Sequence, residues 1–452
     1  MGKIAERGLN APLYVYIYGF VFLLYKTALY INSIHLLTAI GCLILYILIT
    51  HFLFSFFRFF TGSFWAGIPV LIIWGSVLHV VSIAQLLGYS FAYIPFSFYV
   101  SLYLSVVCLV IALVYFLRRF SAYRFPLFNQ MANVFLLLSC MVFLISGVKK
   151  AFDYREENKI HLHATIKKHP VVPKDIVWIL MDEYASSGSL KQQFGFQNPL
   201  DTFLKKAGFV VLPNMHTRFA NTLFAVNSIF NNDDSIAPAN FYQGLDLLRR
   251  GSLIPELEQS GYRYVNLGFF DLSQHPMVAN RSGYPYTYPQ QLFSGTLFGM
   301  IDNALKNTVV ACDAYNRHIY QTLSDSLVSV SSVPRFIWAH LTIPHQPFCR
   351  NSIGQLQNEK ENDANDSVLI KKNYIEYLQY GNSLLVQLFK KHPSLLQKIV
   401  IISGDHGPRY PFLRDKGYQF WPYAAVNVPG QFDTLGLKRL TYISQIPGLL
   451  FK

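Results

Sequence analysis

The stretch Ile399–Tyr410 reads IVIISGDHGPRY and joins a short apolar run to an aspartate–histidine pair. Its first four residues predict a buried strand, which the following serine and glycine end. Asp405 and His406 then stand at the carboxyl end of this strand, before a glycine and a proline turn the backbone away. Carboxylate oxygens and imidazole nitrogens both bind zinc or manganese, so the pair predicts half of a metal site. The alternative is a loop aspartate that caps a helix beside a surface histidine.

The composition indicates that part of the chain lies in lipid. Of its 452 residues, 52% are hydrophobic and 16% aromatic, but only 14% are charged. Before residue 151 the chain has nine lysines and arginines and one acidic residue, Glu6, whereas the remainder has 29 basic and 24 acidic residues. The net charge of +13 is therefore mostly an effect of basic residues that flank membrane spans. We expect no nucleic-acid partner.

Five apolar segments, each near the ~20 residues that a spanning helix needs, predict membrane crossings. They are Pro12–Ile31, His35–Phe57, Trp65–Leu87, Phe96–Leu117 and Met131–Val148. Basic residues precede the first segment, follow the second, and lie between the fourth and the fifth. Because cytoplasmic loops are rich in lysine and arginine, this pattern predicts a cytoplasmic N-terminus. Five crossings then place the C-terminal part of the chain on the extracytoplasmic side.

From Pro173 onwards, short apolar strands alternate with helices. The predicted strands are Ile176–Met181, Phe209–Leu212, Tyr264–Leu267, Phe336–Leu341, Ile399–Ile402 and Ala424–Val428. This alternation predicts an α/β domain with a mostly parallel sheet and helices on both faces. The sequence thus predicts a transmembrane helical domain at 1–148, a charged juxtamembrane connector at 149–172 and an extracytoplasmic domain at 173–452.

Residues of the metal-ligand type stand at two further strand ends. The first predicted strand is followed by Asp182 and Glu183, and the fourth contains His340 and precedes a loop with His345. In α/β folds, ligands bind at the carboxyl ends of the strands. These residues and the aspartate–histidine pair therefore predict one shared metal site. The alternative is that polar residues follow strands in any α/β domain.

Thr222 lies at or near a helix start, because apolar residues recur at helical spacing after it. Free backbone N–H groups and the helix dipole favour an anion at such a position. A threonine hydroxyl is a poor nucleophile until it is deprotonated, and coordination to a metal ion promotes that step. Thr222 is therefore a candidate nucleophile, and the alternative is a plain helix cap.

Four motifs occur in the order and rough spacing of a known group of enzymes. They are ILMDEYASSGSL at 179–190, TRFANTLFAVNSIFN at 217–231, HLTIPHQPF at 340–348 and SGDHGPR at 403–409. Together they resemble the sulfatase-like branch of the alkaline phosphatase superfamily. Membrane spans followed by such a domain resemble bacterial phosphoethanolamine transferases and lipoteichoic acid synthases. The resemblance implies a multi-pass protein of the bacterial inner membrane whose extracytoplasmic domain is catalytic.

The resemblance also implies roles for individual residues. Asp182, Asp405 and His406 match metal ligands, and Thr222 matches the nucleophile that also touches the metal. The cofactor implied is one divalent metal ion, zinc or manganese, with calcium and magnesium as alternatives. Glu183 adjoins the first ligand, so the question of which of these two acids binds the metal stays open.

Three further residues are expected to contact the substrate. His345 matches the histidine that contacts the transferred group, and His340 is a weaker candidate for the same role. Arg409 is a candidate phosphate contact. Neither Cys312 nor Cys349 stands in the C/S-x-P-x-R motif that sulfatases modify, which favours phosphoryl chemistry. These two cysteines are also candidates for a disulfide.

The function implied is a metal-dependent transferase that acts through a threonine nucleophile. Its donor would be a membrane phospholipid, and its acceptor a hydroxyl-bearing lipid or glycan. One alternative is a metal-dependent hydrolase of phosphodiesters or sulfate esters. A second alternative is a membrane scaffold whose domain has lost catalysis.

Overall fold

The computed structural model describes residues 11–29, 36–87, 96–119, 126–157, 174–235, 241–268, 270–273, 275, 292–293, 295–305, 308–358, 362, 366–410, 413, 416–430 and 434–450. The chain divides into two compact units. The helical unit comprises Met1–Lys159 and Tyr286–Lys306, and the sheet unit comprises Ile160–Pro285 and Asn307–Lys452.

The helices that precede the sheet are α1 (Tyr14–Leu29), α2 (Leu36–Trp65), α3 (Gly67–Leu78), α4 (Val80–Leu86), α5 (Phe96–Arg119) and α6 (Pro126–Glu157). Three of their segments are long and apolar enough to cross a membrane, namely Leu37–Trp65, Ser101–Arg119 and Leu127–Lys149. A fourth crossing results if α3 and α4 are one span that bends by 79°. The described helices also expose large apolar side chains on their surfaces, among them Phe59, Ile111 and Phe135, as helices in lipid do.

Three of the five predicted spans differ from the helices observed. The first corresponds to α1, whose 16 described residues fall short of the ~20 needed to cross a bilayer. The third is interrupted at His79, where the backbone leaves the helical conformation (φ −123°, ψ 24°) between α3 and α4. The second span extends past its predicted end to Trp65, and Gly62 inside it has φ 76°, a conformation that glycine adopts without steric cost.

Several polar side chains of the membrane helices are hydrogen-bonded. The Trp74 indole donates to the Thr50 hydroxyl at 3.0 Å, and the Asn133 amide donates to the Ala11 carbonyl at 2.8 Å. Tyr16 hydroxyl and His51 Nδ1 are 3.2 Å apart. In an apolar medium such pairing avoids the cost of polar atoms that lack a hydrogen bond, and it fixes how the helices pack.

After α6 come β1 (Ile176–Met181), α7 (Ser187–Phe194), α8 (Pro199–Lys206), β2 (Val210–Val211), α9 (Thr222–Asn231), α10 (Phe241–Arg249), α11 (Leu253–Gln259), β3 (Arg263–Leu267), α12 (Leu297–Leu305), α13 (Thr308–Val328), β4 (Arg335–Leu341), α14 (Ser367–Lys391), β5 (Ile399–Gly404), β6 (Ala424–Asn427), α15 (Thr434–Lys438) and α16 (Gln445–Leu450). Short 3₁₀ helices span Pro393–Gln397 and Lys416–Phe420. All these elements lie in the sheet unit except α12, which belongs to the helical unit.

The sheet has the strand order β2-β6-β5-β1-β4-β3. Strands β5, β1, β4 and β3 run parallel, and β6 and β2 pair antiparallel at one edge. The predicted α/β fold with a mostly parallel sheet is therefore confirmed. Strand β5 extends two residues past its predicted end, because Ser403 and Gly404 pair with Leu180 and Met181 of β1.

Strand β1 is buried on both faces, which explains its continuous apolar sequence. Val177, Ile179 and Met181 belong to the apolar core on one face of the sheet. Trp178 belongs to the core on the other face, where its indole donates to the Ser403 hydroxyl of β5 at 2.8 Å. Two helix-covered cores thus hold the central strands in fixed register.

Two other expectations concern the connector and the cysteines. Residues 149–157 of the predicted connector continue α6, and its remainder, 158–172, lies outside the described residues. Cys312 and Cys349 are both buried and are not joined by a disulfide. The Cys349 thiol instead donates to the Pro347 carbonyl at 3.2 Å.

Candidate metal centre and its surroundings

The strand register brings the carboxyl ends of β1 and β5 together. Met181 of β1 pairs with Gly404 of β5, so the residues that follow them, Asp182 and Asp405, emerge side by side from the edge of the sheet. On the other side of β1, His340 of β4 pairs with Leu180. Because side chains alternate along a strand, His340 and Asp182 lie on the same face. Local sequence and parallel pairing therefore place acids and histidines of three strands at one point.

Asp182, Asp405 and His406 form the group that could hold a metal ion. One ligand atom from each lies within 4.8 Å of the others, and all three side chains are buried. His406 Nδ1 is 2.9 Å from the Gly407 carbonyl, so this nitrogen donates and Nε2 is left facing the metal group. Nε2 in turn lies 3.2 Å from Asp405 Oδ2.

This donor set fits a divalent cation. Asp405 Oδ2 is buried and accepts no hydrogen bond from the residues that the structure describes. A buried carboxylate oxygen without a hydrogen-bond donor is costly unless a cation lies beside it. Two carboxylates and one imidazole suit zinc or manganese, and they leave room for further ligands.

The two carboxylates are unequal in acidity. Burial alone would raise the pKa of Asp182, but His345, His340 and His406 hold it below its ordinary value. Burial and then the nearby charge of Asp182 raise the pKa of Asp405. Asp182 is therefore the stronger acid of the two, and a bound cation would offset the repulsion between the two carboxylates.

Thr222 is the first residue of α9, and its hydroxyl points at the metal group rather than capping the helix. The N-cap residue is Asn221. The Thr222 hydroxyl donates to Asp182 Oδ1 at 3.3 Å and lies 3.3 Å from His406 Nε2. The plain-cap alternative does not describe this geometry, since a capping hydroxyl accepts from a backbone N–H of its own helix.

Two glycines let the aspartate–histidine turn pack against neighbouring backbone. A Cβ on Gly404 would lie 2.3 Å from the Tyr184 carbonyl oxygen, and one on Gly407 would lie 2.3 Å from the Tyr418 carbonyl oxygen. Neither contact can be relieved by moving a flexible side chain. The SGDHG sequence is thus required for the close approach of the metal-ligand turn to the segments beside it.

The close packing at Gly404 leads to a stability prediction. Gly404→Ala should lower the free energy of unfolding by about 1–3 kcal/mol, because the added methyl group forces the backbone apart. Gly188→Ala is a matched control, since its Cβ would meet its nearest neighbour only at 3.9 Å. Thermal unfolding of the purified variants measures the difference. Equal melting temperatures for the two would contradict the packing argument.

Of the two adjacent acids, Asp182 lies in the metal group and Glu183 does not. Glu183 adopts φ 61°, which is uncommon for a residue other than glycine. Its carboxylate accepts from Arg409 Nε at 3.0 Å, and its backbone N–H donates to Asp405 Oδ1 at 2.9 Å. Asp182 therefore belongs to the metal group, whereas the carboxylate of the adjacent Glu183 pairs with Arg409.

Arg409 and His345, two of the three expected substrate contacts, touch each other beside the metal group. Arg409 Nη2 donates to His345 Nε2 at 3.1 Å, and Arg409 Nη1 donates to the Ala220 carbonyl at 3.0 Å. Because arginine has no acceptor atom, His345 Nε2 accepts, and its Nδ1 faces the Gln346 carbonyl. Both side chains are partly exposed, so a substrate can reach them.

His340 lies beneath the site. Its side chain is fully buried within β4, and its Nε2 is 3.6 Å from Asp182 Oδ2. The expected contact between His340 and a transferred group is therefore less suited to its position than a role in supporting Asp182.

One residue of the site has no signature in the sequence. Tyr374 of α14 donates its hydroxyl to the Glu183 carbonyl at 2.8 Å and accepts from the Ala185 N–H at 3.2 Å. It thereby braces the turn that follows β1. A tyrosine on the apolar face of a helix is indistinguishable from a core residue until the turn that it contacts is known.

Comparisons with known proteins were made at three levels. No protein-family model matches the chain, and no curated protein matches it. Among solved structures, it is similar to the integral membrane protein lipooligosaccharide phosphoethanolamine transferase A (EptA) from Neisseria meningitidis. The identity is 13%, the TM-score is 0.39, and the match covers 96% of this chain and 92% of that one.

Two other similar structures match smaller parts of the chain. The C-terminal periplasmic domain of EcEptC from Escherichia coli, solved in complex with zinc, has 13% identity and a TM-score of 0.37, over 63% of this chain and 82% of that one. The lipoteichoic acid synthase LtaP from Listeria monocytogenes has 11% identity and a TM-score of 0.36, over 64% and 73%. Sulfatases are also among the similar structures. These are the groups of enzymes that the sequence motifs resemble, and residue roles rest on the geometry of the site itself.

Proposed function

We propose that the chain is a membrane-anchored, metal-dependent phosphotransferase of the sulfatase-like branch of the alkaline phosphatase superfamily. The observation that carries this proposal is the position of the Thr222 hydroxyl, 3.3 Å from both Asp182 Oδ1 and His406 Nε2. It combines a helix start, which favours anions, with a group of side chains that fits a divalent cation.

Asp182, Asp405 and His406 would hold the metal ion, with Thr222 as a further ligand. When bound, the ion would lower the pKa of the Thr222 hydroxyl and attract the phosphoryl oxygens. The Glu183 N–H and Gly407 carbonyl orient Asp405 and His406 through hydrogen bonds of 2.9 Å each. Hydrogen bonds of this kind, made to a metal ligand by a neighbouring group, usually fix the direction of the ligand's lone pairs.

The chemistry then proceeds in two displacements at phosphorus. Thr222 Oγ1 attacks the phosphorus of a lipid phosphodiester, and the bond to the lipid alcohol breaks. The Thr222 proton passes to water, because the lowered pKa of Asp182 makes that carboxylate a weak base, and the leaving alcohol takes a proton from water. In the second step an acceptor hydroxyl attacks phosphorus and the bond to Thr222 Oγ1 breaks. The acceptor loses its proton to water, and Thr222 regains one from water. Arg409 would bind the phosphoryl oxygens in both steps, and His345 beside it would hold Arg409 by accepting from Nη2.

Turnover with defined lipids tests the proposed function. The full-length protein with zinc is incubated with vesicles of phosphatidylethanolamine or phosphatidylglycerol that carry a radiolabelled head group. We expect the label to leave the lipid and to appear on an added hydroxyl-bearing acceptor. Label released only to water would instead show a hydrolase. Absence of release from either lipid, with metal bound, would contradict the proposal and favour a scaffold.

The orientation in the membrane is a further part of the proposal. The basic residues around the spans favour a cytoplasmic N-terminus and an extracytoplasmic sheet unit. Reporter fusions at residue 120 and at the C-terminus should therefore report opposite sides of the membrane. If both reporters are active on the same side, the five-span topology is wrong.

A further inference from the structure

Glu183 contacts both the metal group and Arg409, because its backbone N–H donates to Asp405 Oδ1 and its carboxylate accepts from Arg409 Nε. Its side chain is only 4% exposed, and its backbone is left-handed with φ 61°. One carboxylate oxygen accepts from Arg409 Nε at 3.0 Å, and the other lies 3.5 Å from the Tyr410 hydroxyl. A buried carboxylate is costly unless it is paired, and its partner here is the guanidinium of Arg409.

Arg409 is held by contacts through all three of its guanidinium nitrogens. Besides Glu183, they reach the Ala220 carbonyl at 3.0 Å and His345 Nε2 at 3.1 Å. Because guanidinium has five N–H groups, these contacts leave one N–H on each terminal nitrogen that no described residue accepts. Ala220 lies two residues before Thr222, so the guanidinium is fixed beside the start of the helix that carries the candidate nucleophile.

The charge of Glu183 does not explain its presence. A site without the Glu183 carboxylate would attract a phosphate anion more strongly, so the charge of Glu183 by itself does not favour phosphate binding. What Glu183 supplies is an acceptor for Arg409 Nε, which sets the plane and the direction of the remaining N–H groups.

Resting on the function proposed above, we infer that Glu183 is a positioning residue that aligns Arg409 as a clamp for the phosphoryl group. It is not a metal ligand, although it adjoins Asp182. Arg409 binds the phosphoryl oxygens with its two free N–H groups, and Glu183 acts only through Arg409. In this arrangement Asp182 binds the metal ion, and the adjacent Glu183 orients Arg409 toward the phosphoryl group.

Two substitutions separate the positioning role from the charge of Glu183. Glu183→Gln and Glu183→Ala both remove the negative charge, but only glutamine keeps an oxygen that accepts from Arg409 Nε. The affinity of the full-length, zinc-loaded protein for inorganic phosphate is measured by calorimetry. We expect Glu183→Gln to bind phosphate on the order of 10-fold more tightly than Glu183→Ala. We expect this difference to vanish when Arg409→Ala is added to both variants.

A matched control comes from a second buried acid–arginine pair. Arg335 Nη2 donates to Asp175 Oδ2 at 2.7 Å at the amino ends of the strands, away from the metal group. Asp175→Asn and Asp175→Ala should both lower stability and leave the phosphate affinity of the folded protein equal. Zinc content, measured alongside by mass spectrometry, should stay unchanged in all Glu183 variants.

Three results would overturn the inference. Equal phosphate affinity of Glu183→Gln and Glu183→Ala would show that only charge matters. A difference that persists with Arg409→Ala would show that Glu183 does not act through Arg409. Loss of zinc in Glu183→Gln would make Glu183 a metal ligand. Phosphate binding requires no turnover, so a failure of the transferase proposal appears separately, as an inactive wild-type protein or as an active Thr222→Ala variant.

Discussion

Thr222→Ala should lower turnover of a lipid phosphodiester by at least about 10³-fold, because covalent catalysis has no substitute for its nucleophile. The variant keeps Asp182, Asp405 and His406, so it should still bind a divalent metal ion, more weakly by the loss of one ligand. Its fold should be intact, since the N-cap of α9 is Asn221 and not Thr222. Turnover, metal content and thermal unfolding of the same preparation measure the three effects.

Thr222→Ser is the matched control for this substitution. Serine keeps a hydroxyl at the same place, so the variant should retain part of the activity and should still form the covalent intermediate. If Thr222 served only the helix start, its loss would cost roughly 1 kcal/mol of stability and little activity. Near wild-type turnover of Thr222→Ala would therefore remove the transferase mechanism.

Replacing Asp405 and His406 together with alanine should abolish metal binding while the sheet unit still folds. The two residues supply two of the three side chains whose ligand atoms lie within 4.8 Å of one another. Strand β5 remains paired with β1 on one side and β6 on the other, so the sheet does not depend on these side chains. Metal content, measured by mass spectrometry on the purified protein, should fall from about one ion per chain to background.

A control variant removes an aspartate and a histidine elsewhere on the same unit. His318→Ala combined with Asp325→Ala changes two exposed positions of α13 and should leave the metal content unchanged. Circular dichroism on both double variants reports whether each has folded. Stoichiometric metal in the folded Asp405/His406 variant would show that the ion is held elsewhere, and the assignment of the centre would fail.

The sequence predicted those features of the site that depend on strand ends. Asp182, Asp405 and His406 follow continuous apolar runs, and runs of this kind are buried parallel strands whose carboxyl ends share one edge. The register of β1 against β5 then decides that Asp182 and Asp405 meet, and register depends on pairings far apart in the chain. The motifs located these residues, but the distances between them required the folded sheet.

The sequence could not predict that Asp182 lies in the metal group while Glu183 pairs with Arg409. Both are acids at a strand end, and what separates them is the backbone of one residue, Glu183, at φ 61°. That conformation is stabilised by groups from distant segments, including the Tyr374 hydroxyl on the Glu183 carbonyl. Local sequence carries no signal for such contacts, because each depends on how α14 packs against the sheet.

The membrane part shows a similar limit. Hydropathy located the apolar segments well, since each predicted segment overlaps a helix of the described chain. Hydropathy did not predict the bend at His79. It also did not predict that Tyr286–Lys306 belongs to the helical unit. An apolar sequence reports burial in lipid or protein, but it does not report whether a helix continues through a given residue.

The most direct test of the central claim is to trap the intermediate on Thr222. The full-length protein with zinc is mixed with a lipid phosphodiester, quenched in acid and digested, and the peptide that contains Thr222 is examined by mass spectrometry. The mechanism predicts a phosphoryl-linked group on Thr222, lost on addition of an acceptor alcohol and absent from Thr222→Ala. Turnover without a group on Thr222, or with a group attached to another residue, would contradict it.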